Sequence, residues 1–194
     1  MNPPFALKKS DEKESHFIDY ALEQMEDGGI LFAITPISVM TESSGKHWRK
    51  SLLDKHTLLS VVTLPEELFY PVGVHTIGIF IKKGNPHNFN SQKVYFAKAN
   101  TDGFVKLKGK RILDKKESNK IQEITSELNT FLHNPNTQVK SVPEFKKATL
   151  IDQSDELLEL VPEAYMETDY SSLTKEDFKT QMNQYLLFKI MNED

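Results

Sequence analysis

The sequence contains no cysteine, a single tryptophan and no long apolar run. The lack of cysteine excludes disulfide bonds, thiolate metal sites and a cysteine nucleophile. A helix that crosses a bilayer needs roughly 20 consecutive apolar residues, and the chain shows neither such a run nor a signal peptide at its start. The histidines do not show the spacing with carboxylates that a metal site requires. We therefore expect a cytoplasmic protein with no membrane segment and no metal.

Charge is distributed unevenly along the 194 residues, although the formal net charge is only -4. Between Lys82 and Lys120 there are eleven Lys or Arg and three Asp or Glu. Between Leu150 and Asp194 the balance is reversed, with eleven acidic and three basic residues. The basic block could face phosphate groups, but a solvated lysine-rich hairpin is the more common origin of a lone basic run.

The apolar pattern predicts an open α/β sheet. An amphipathic helix over 11–27, capped by Ser10 or Asp11, precedes a strand over 29–34. The unbroken apolar run of that strand is typical of a strand buried on both faces. The other predicted elements are a helix over 44–56, strands over 58–64 and 76–81, an edge strand over 93–97, a helix over 118–133 and a last helix that a capping box opens at Thr174–Asp177.

The order helix, strand, helix, strand, loop, strand is that of the closing half of an open α/β sheet. The loop over 66–74 is too short to hold a crossover helix, so the strands on either side of it should be antiparallel neighbours. The last helix has an apolar stripe that could dock on the domain or on another subunit.

The tetrapeptide Asn2-Pro3-Pro4-Phe5 has a composition suited to holding a planar ring. The two prolines fix φ, remove two backbone donors and keep the segment extended. Asn2 can exchange hydrogen bonds with an exocyclic amine, and Phe5 offers an aromatic face for stacking. The alternative is that these residues form a frayed terminus.

Several segments in a fixed order resemble the DNA adenine-N6 methyltransferases. They are Asn2-Pro3-Pro4-Phe5, the run Gly28–Pro36, the pair Leu64-Pro65, the loop Leu68–Val74 and the run Thr76–Phe80. The tetrapeptide alone is shared by other amino-group methyltransferases. The stretch from Leu64 to Phe80 makes the chain most similar to the modification subunits of type I restriction–modification systems. The resemblance covers residues 2 to about 112.

The resemblance implies a site and a cofactor. The target adenine would leave the DNA duplex, because its N6 amine is paired there. Asn2 and the carbonyl of Pro3 would accept hydrogen bonds from that amine, with Pro4 shaping the segment. Phe5 would stack on the base, and Phe69 would offer a second aromatic ring. The alternative is that Phe69 or Tyr70 only fills a gap at the domain surface. The methyl donor would be S-adenosylmethionine, and double-stranded DNA the substrate. The backbone contacts would come from Lys106, Lys108, Lys110 and Arg111.

The resemblance also implies parts that the sequence does not show. In the family, a glycine-rich turn and later acidic residues hold the donor, and they precede the Asn-Pro-Pro-Phe motif. We therefore expect the C-terminal half of a Rossmann-like class I methyltransferase sheet, with an added edge strand and a helical tail. Such a chain would be a truncated gene product or one piece of a split enzyme, and it should be inactive unless a donor-binding half is supplied in trans. Specificity and restriction subunits would be further partners.

The sequence predicts three parts: residues 1–112 as a partial catalytic domain, 113–149 as a helical extension, and 150–194 as an acidic tail with a terminal helix.

Two other functions stay open. The chain could be a module that binds DNA or a subunit without chemistry. A methyltransferase that acts on RNA or on a protein glutamine fits the stretch Leu64 to Phe80 less well.

Overall fold

The computed structural model describes residues 1–5, 11–66, 68–69, 73–107, 109–114, 116, 118–135, 137–168 and 173–192. Two of the predicted residues, Ser10 and Lys108, lie outside these ranges, as does the side chain of Lys106. The helices are α1 Glu14–Gln24, α2 Ser38–Thr41, α3 Lys46–Lys55, α4 Lys120–His133, α5 Pro162–Tyr165 and α6 Lys175–Asn192. The strands are β1 Ile30–Pro36, β2 Thr57–Thr63, β3 Thr76–Lys82, β4 Val94–Lys98, β5 Phe104–Leu107, β6 Lys110–Leu113 and β7 Lys146–Thr149.

Five strands form one mixed sheet in the order β1-β3-β2-β4-β7, and β5 with β6 forms a separate hairpin. The pairs β1–β3, β2–β3 and β4–β7 are antiparallel, and β2–β4 is parallel. The antiparallel pairing of β2 with β3 confirms the prediction made from the short loop. The structure is thus α/β, with a sheet that combines both strand directions.

Apolar residues cover the two faces of the sheet unequally. On one face, α1, α2 and α3 pack on all four strands from β1 to β4, and Ile151, Leu158, Leu160 and Val161 complete that core. On the other face, α4 covers β2 and β4 through Ile124, Leu128 and Phe131. In the described part of the chain, no helix covers the part of this second face that belongs to β1, where Ile30 and Phe32 are exposed.

Two predictions about strands are wrong. The strand β1 is not buried on both faces, since Ile30 and Phe32 are 46% and 39% exposed. The strand β4 is not an edge strand, because β7 pairs with its outer side and Val94 to Ala97 are all buried. The sequence did not predict β7 as a strand, because it is short and begins with two lysines. This short strand closes the far edge of the sheet.

The tail joins the main core before it ends in an exposed helix. Tyr165 stacks on Phe96 with ring centroids 4.1 Å apart, and Leu160 donates its backbone N–H to Met40. Further along, Thr174 and Asp177 form the predicted cap of α6 with reciprocal hydrogen bonds. The described side chains of α6 are all exposed. The division into three parts stays a prediction.

No helix in the described part of the chain has both the length and the apolar composition that a bilayer span requires.

The helix α1 begins at Glu14 after Lys13, whose side chain makes no capping bond. The helix α4 is capped as its sequence suggests, with Asn119 accepting from the backbone N–H of Gln122 at 3.0 Å.

Candidate functional site

The N-terminal segment is held against the outer edge of β1. The amino group of Met1 donates to the carbonyl of Phe32 at 2.5 Å, and the N–H of Ile34 donates to the carbonyl of Met1 at 3.1 Å. Both partners flank Ala33, which is the hydrogen-bond pattern of parallel strands. The segment is therefore tied to the sheet at its first residue and is not a frayed end there.

The four residues after Met1 differ in exposure. Pro3 is buried, Phe5 is half-buried, and Asn2 and Pro4 are exposed. The amide of Asn2 makes no hydrogen bond to any residue that the structure describes. An amide carries both an acceptor oxygen and two N–H donors, so this group can still serve a ligand. Buried Pro3 and the bonded Met1 fix the backbone on which Asn2 stands.

Phe5 and Phe69, which are far apart in the sequence, meet in the structure. Their ring centroids are 5.8 Å apart and their planes make an angle of 75°. This edge-to-face geometry is that of two aromatic rings in direct contact. The contact brings the N-terminal segment and the loop before β3 to one place. A base that stacks on Phe5 on this side would have to separate the two rings.

A cleft of about 630 Å³ opens beside Phe5. It lies where β1 ends at Pro36, and ligands of α/β sheets bind outside the carboxyl ends of the strands. Trp48 lines it from α3, and its Nε1 donates to Asp19 Oδ1 on α1 at 2.9 Å. Sequence reasoning missed this cleft because neither Trp48 nor Asp19 stands in a recognisable motif. Phe69 is not part of its lining.

The basic hairpin of β5 and β6 offers fewer free cations than its sequence suggests. Arg111 Nη2 binds both carboxylate oxygens of Asp102, at 2.6 and 2.5 Å, and the guanidinium lies 5.7 Å from the ring centre of Phe104. Asp102 is almost completely buried, so much of the charge of Arg111 is neutralised within the chain. Lys110 is exposed and remains available for a phosphate.

A second cleft of about 830 Å³ connects this hairpin with the loop that carries Phe69. Pro65, Glu66 and His75 line it from that loop, and Lys98 and Arg111 line it from the other side. This cleft lies at the carboxyl ends of β2 and β4. The carboxyl end of β1 lies at the same end of the sheet, because β2 and β4 are parallel and β1 and β2 are both antiparallel to β3. The hairpin and the pair formed by Phe5 and Phe69 thus lie at the same end of the sheet.

The largest pKa shifts occur away from the aromatic pair. Burial lowers the pKa of His87 to about 4, and burial raises the pKa of Tyr165 to about 12. Burial, together with the carboxylate of Glu127, raises the pKa of Tyr95. These groups belong to the packing of the sheet. Binding a ligand at the aromatic pair by hydrogen bonds and stacking does not require a titratable residue with a shifted pKa.

The only adjacent glycines, Gly28 and Gly29, do not fit a site for S-adenosylmethionine. Gly28 has φ +83°, and the pair extends the β1–β3 ladder: Gly28 N donates to Lys83 O, and Lys83 N donates to Gly29 O, both at 2.9 Å. They precede β1, whereas the candidate site lies beyond its carboxyl end. No group of three or more possible metal ligands occurs among the described residues.

Comparisons with known proteins agree on one family. The model of the family described as N-6 DNA methylase matches residues 2–177. The type II restriction enzyme and methyltransferase RM.BcgI of Heyndrickxia coagulans is 38% identical over 111 residues, which are 54% of this chain and 17% of that protein. The methylase subunit of the type I restriction enzyme EcoKI of Escherichia coli K12 is 29% identical over 124 residues, which are 54% of this chain and 23% of that subunit. The chain thus spans about a fifth of the length of these curated relatives.

Two solved structures share the fold. The crystal structure of the EcoKI M protein matches with a TM-score of 0.54 and 21% identity, over 72% of this chain and 32% of that one. A chain from a study of complex assembly and conformational transition in a type I R-M system matches with a TM-score of 0.59 and 17% identity, over 98% of this chain and 42% of that one.

Proposed function

The chain belongs to the N-6 DNA methylase family, and we propose that it takes part in methylating the N6 amine of adenine in DNA, within a type I restriction–modification system. The family match begins at Asn2, the first residue of the tetrapeptide. The observation that supports the proposal most directly is the contact of Phe5 with Phe69. It brings two separate segments of the family match together, and one of them carries the exposed amide of Asn2.

The residues of this chain would hold an adenine that has left the duplex. Extruding a base costs a few kcal/mol of unpairing and unstacking, which aromatic stacking in the enzyme offsets. Phe5 supplies that stacking once Phe69 moves from its edge contact, and Phe69 then covers another side of the base. Because both rings are at least partly exposed, their separation does not disturb the core of the sheet.

Asn2 and Pro3 would act on the amine itself. The side-chain oxygen of Asn2 and the carbonyl of Pro3 accept hydrogen bonds from its two N–H groups. Two such acceptors favour a tetrahedral nitrogen over a planar one, so the lone pair becomes available outside the ring system. A general base with a shifted pKa is not needed for this effect. Pro4 stiffens the segment that carries both acceptors.

The methyl donor would be S-adenosylmethionine, held outside this chain. Gly28 and Gly29 do not form its site, and we propose that β1, β3 and β2, which are neighbours in the sheet, correspond to the closing part of a Rossmann-like methyltransferase sheet. We propose that the donor is bound by a part of the modification subunit that the 194 residues do not include, and that these residues alone transfer no methyl group. Specificity and restriction subunits would be further partners, and Lys110, with Lys106, Lys108 and Arg111, would contact the DNA backbone.

A complementation assay tests this function. The chain is mixed with a donor-binding polypeptide and plasmid DNA, and transfer of labelled methyl groups from S-adenosylmethionine is counted. We expect Asn2→Ala to lower transfer by about 10² or more, since removing one aimed hydrogen-bonding group from a catalytic site has that effect. The control is Asn90→Ala, which alters an exposed amide in the loop before β4.

Equal transfer by the Asn2→Ala and Asn90→Ala variants would refute the catalytic function. If no mixture transfers methyl groups while the wild-type chain binds duplex DNA with a steep salt dependence, the chain is a binding module without chemistry.

A further inference from the structure

We infer that the cleft beside Phe5 is a second base-binding site, which takes an amine-bearing nucleobase next to the extruded adenine and stacks it on Trp48. The inference deepens the proposed function and rests on it for the identity of the ligand as DNA. The cleft itself, with its aromatic walls and its carboxylates, is a feature of the fold and does not depend on that function.

The first argument is the size of the cleft and the nature of its walls. Its volume of about 630 Å³ lies within the range of roughly 300 to 1000 Å³ that is typical of small-molecule sites. Phe5 and Trp48 supply aromatic walls, and Pro36, Val39 and Val74 add apolar surface. A space of this size with such walls is suited to a planar, uncharged ring system.

The second argument is that Trp48 is fixed in place by its contacts within the chain. Part of its side chain packs against the core that α1, α2 and α3 cover, and its Nε1 donates to Asp19 Oδ1 at 2.9 Å. This bond joins α3 to α1 and holds the ring at the wall of the cleft. A side chain that is already ordered loses little conformational entropy on binding, so a base can stack on it at low cost.

The third argument concerns the charged groups, which favour an amine over a phosphate. Glu14, Asp19 and Glu42 line the cleft, whereas Lys13 is the one lysine or arginine among its described lining residues. A phosphate would face this excess of carboxylates, but a neutral base would not be repelled. Trp48 uses Oδ1 of Asp19, so Oδ2 can accept a hydrogen bond from an exocyclic amine. Carboxylates accept such bonds from the amine of cytosine in DNA recognition.

The fourth argument is the position of the cleft. Phe5 lines it and also makes the edge-to-face contact with Phe69, so the cleft adjoins the place proposed for the target adenine. Extruding that adenine removes one stacking partner from each neighbouring base, and proteins that bind single strands stack such bases on aromatic side chains. The nucleotide next to the target is therefore the nearest source of a base for Trp48.

The fluorescence of Trp48 tests the inference, because it is the only tryptophan. The whole chain is titrated with two single-stranded DNA pentanucleotides that have adenine at the centre and thymine at both ends. Cytosines flank the adenine in the first probe and thymines in the second. Thymine has no exocyclic amine, so we expect the first probe to quench the emission of Trp48 and to bind about fivefold or more tightly than the second.

Two variants and one control locate the effect, with binding measured by the anisotropy of labelled probes. Trp48→Leu removes the stacking surface and should weaken binding of the cytosine-flanked probe by about fivefold or more. Asp19→Asn keeps an oxygen for Trp48 Nε1 but replaces the second acceptor with an N–H donor, so it should abolish the preference for cytosine. Asp54→Asn makes the same change at an exposed aspartate of α3 outside the lining and should leave binding unchanged.

Circular dichroism shows whether each variant is folded, and Asp19→Asn, at an exposed position, keeps the test decisive if Trp48→Leu does not fold. The inference is overturned if neither probe binds, if binding leaves the emission of Trp48 unchanged, if both probes bind equally, or if Asp19→Asn retains the preference. Failure of the proposed function looks different: quenching and the preference for cytosine are observed, but the complemented chain transfers no methyl group.

Discussion

Arg49 joins three segments of the fold, and its replacement should be among the most damaging single changes in the chain. The side chain is fully buried. Its Nε donates to the carbonyl of Leu158 at 2.9 Å, and Nη2 donates to that of Leu157 at 2.8 Å. Nη1 and Nη2 also reach the segment before α3, donating to Val39 at 3.0 Å and to Glu42 at 2.9 Å. One guanidinium therefore holds the tail to α3 and to the segment that carries Val39 and Glu42.

The magnitude follows from these four bonds. A hydrogen bond from a charged donor contributes roughly 1.5 to 3 kcal/mol, and a buried carbonyl left without a donor costs roughly 1 to 3 kcal/mol. Burial lowers the pKa of Arg49, which shows that the guanidinium also pays a desolvation cost, partly offset by Glu159, Asp155 and Glu42. Arg49→Met removes the charge with its bonds, so we expect a loss of about 3 to 5 kcal/mol in the free energy of unfolding. Arg49→Lys should lose about 2 to 3 kcal/mol, because one ammonium cannot reach four carbonyls.

The assay is urea unfolding followed both by far-ultraviolet circular dichroism and by the fluorescence of Trp48, the only tryptophan. Coincident transitions would support a two-state analysis. The control is Lys50→Met, which changes an exposed neighbour on α3 and should stay within about 0.5 kcal/mol of the wild type. A loss below about 1 kcal/mol for Arg49→Met would refute the idea that Arg49 holds the tail in place.

Three further predictions concern other parts of the fold. Because His87 has a pKa of about 4 when folded and near 6.5 when unfolded, the unfolded state binds more protons between these values. Stability should therefore fall by about 2 to 3 kcal/mol as the pH is lowered from 6.5 to 4, and His87→Phe should abolish that part of the loss in pH-dependent urea unfolding. Asp102→Asn should lower stability by about 1 to 2 kcal/mol by leaving Arg111 unpaired, and an unchanged urea midpoint would contradict this. At Gly78, a Cβ would lie 2.8 Å from the ring of Phe32, so Gly78→Ala should turn that ring and cost about 1 kcal/mol, with a changed near-ultraviolet spectrum.

Local patterns in the sequence predicted most helices and strands. The pairing of β2 with β3 followed from a loop too short for a crossover, and the cap of α6 followed from Thr174 and Asp177. These features depend on residues that are close together in the chain. Sequence reasoning therefore recovered the order of elements and the antiparallel centre of the sheet.

Long-range packing was not visible in the sequence. The strand β7 is rich in lysine, and only its pairing with β4 defines it as a strand. The stacking of Tyr165 on Phe96 and the bonds of Arg49 to Leu158 also join distant residues that no local pattern connects. For the same reason the apolar run of β1 predicted a strand covered on both faces, whereas the described chain covers only one.

At the candidate site, the resemblance to a family supplied what periodicity could not. It selected Asn2, Phe5 and Phe69 as one group, and the structure brings the two rings into contact. It gave no indication of the cleft beside Phe5 or of the ion pair between Asp102 and Arg111. Both arise from side chains that meet only when the sheet and the hairpin have formed.

The most direct test of the site is a nuclear magnetic resonance titration of the isotope-labelled chain with adenosine. If Asn2 and Phe5 hold an extruded adenine, adenosine should shift the side-chain amide signals of Asn2 and the ring signals of Phe5 and Phe69, while uridine should not and the amide of Asn90 should stay unchanged. Absence of these shifts, or equal shifts with uridine, would contradict an adenine site built by the N-terminal segment.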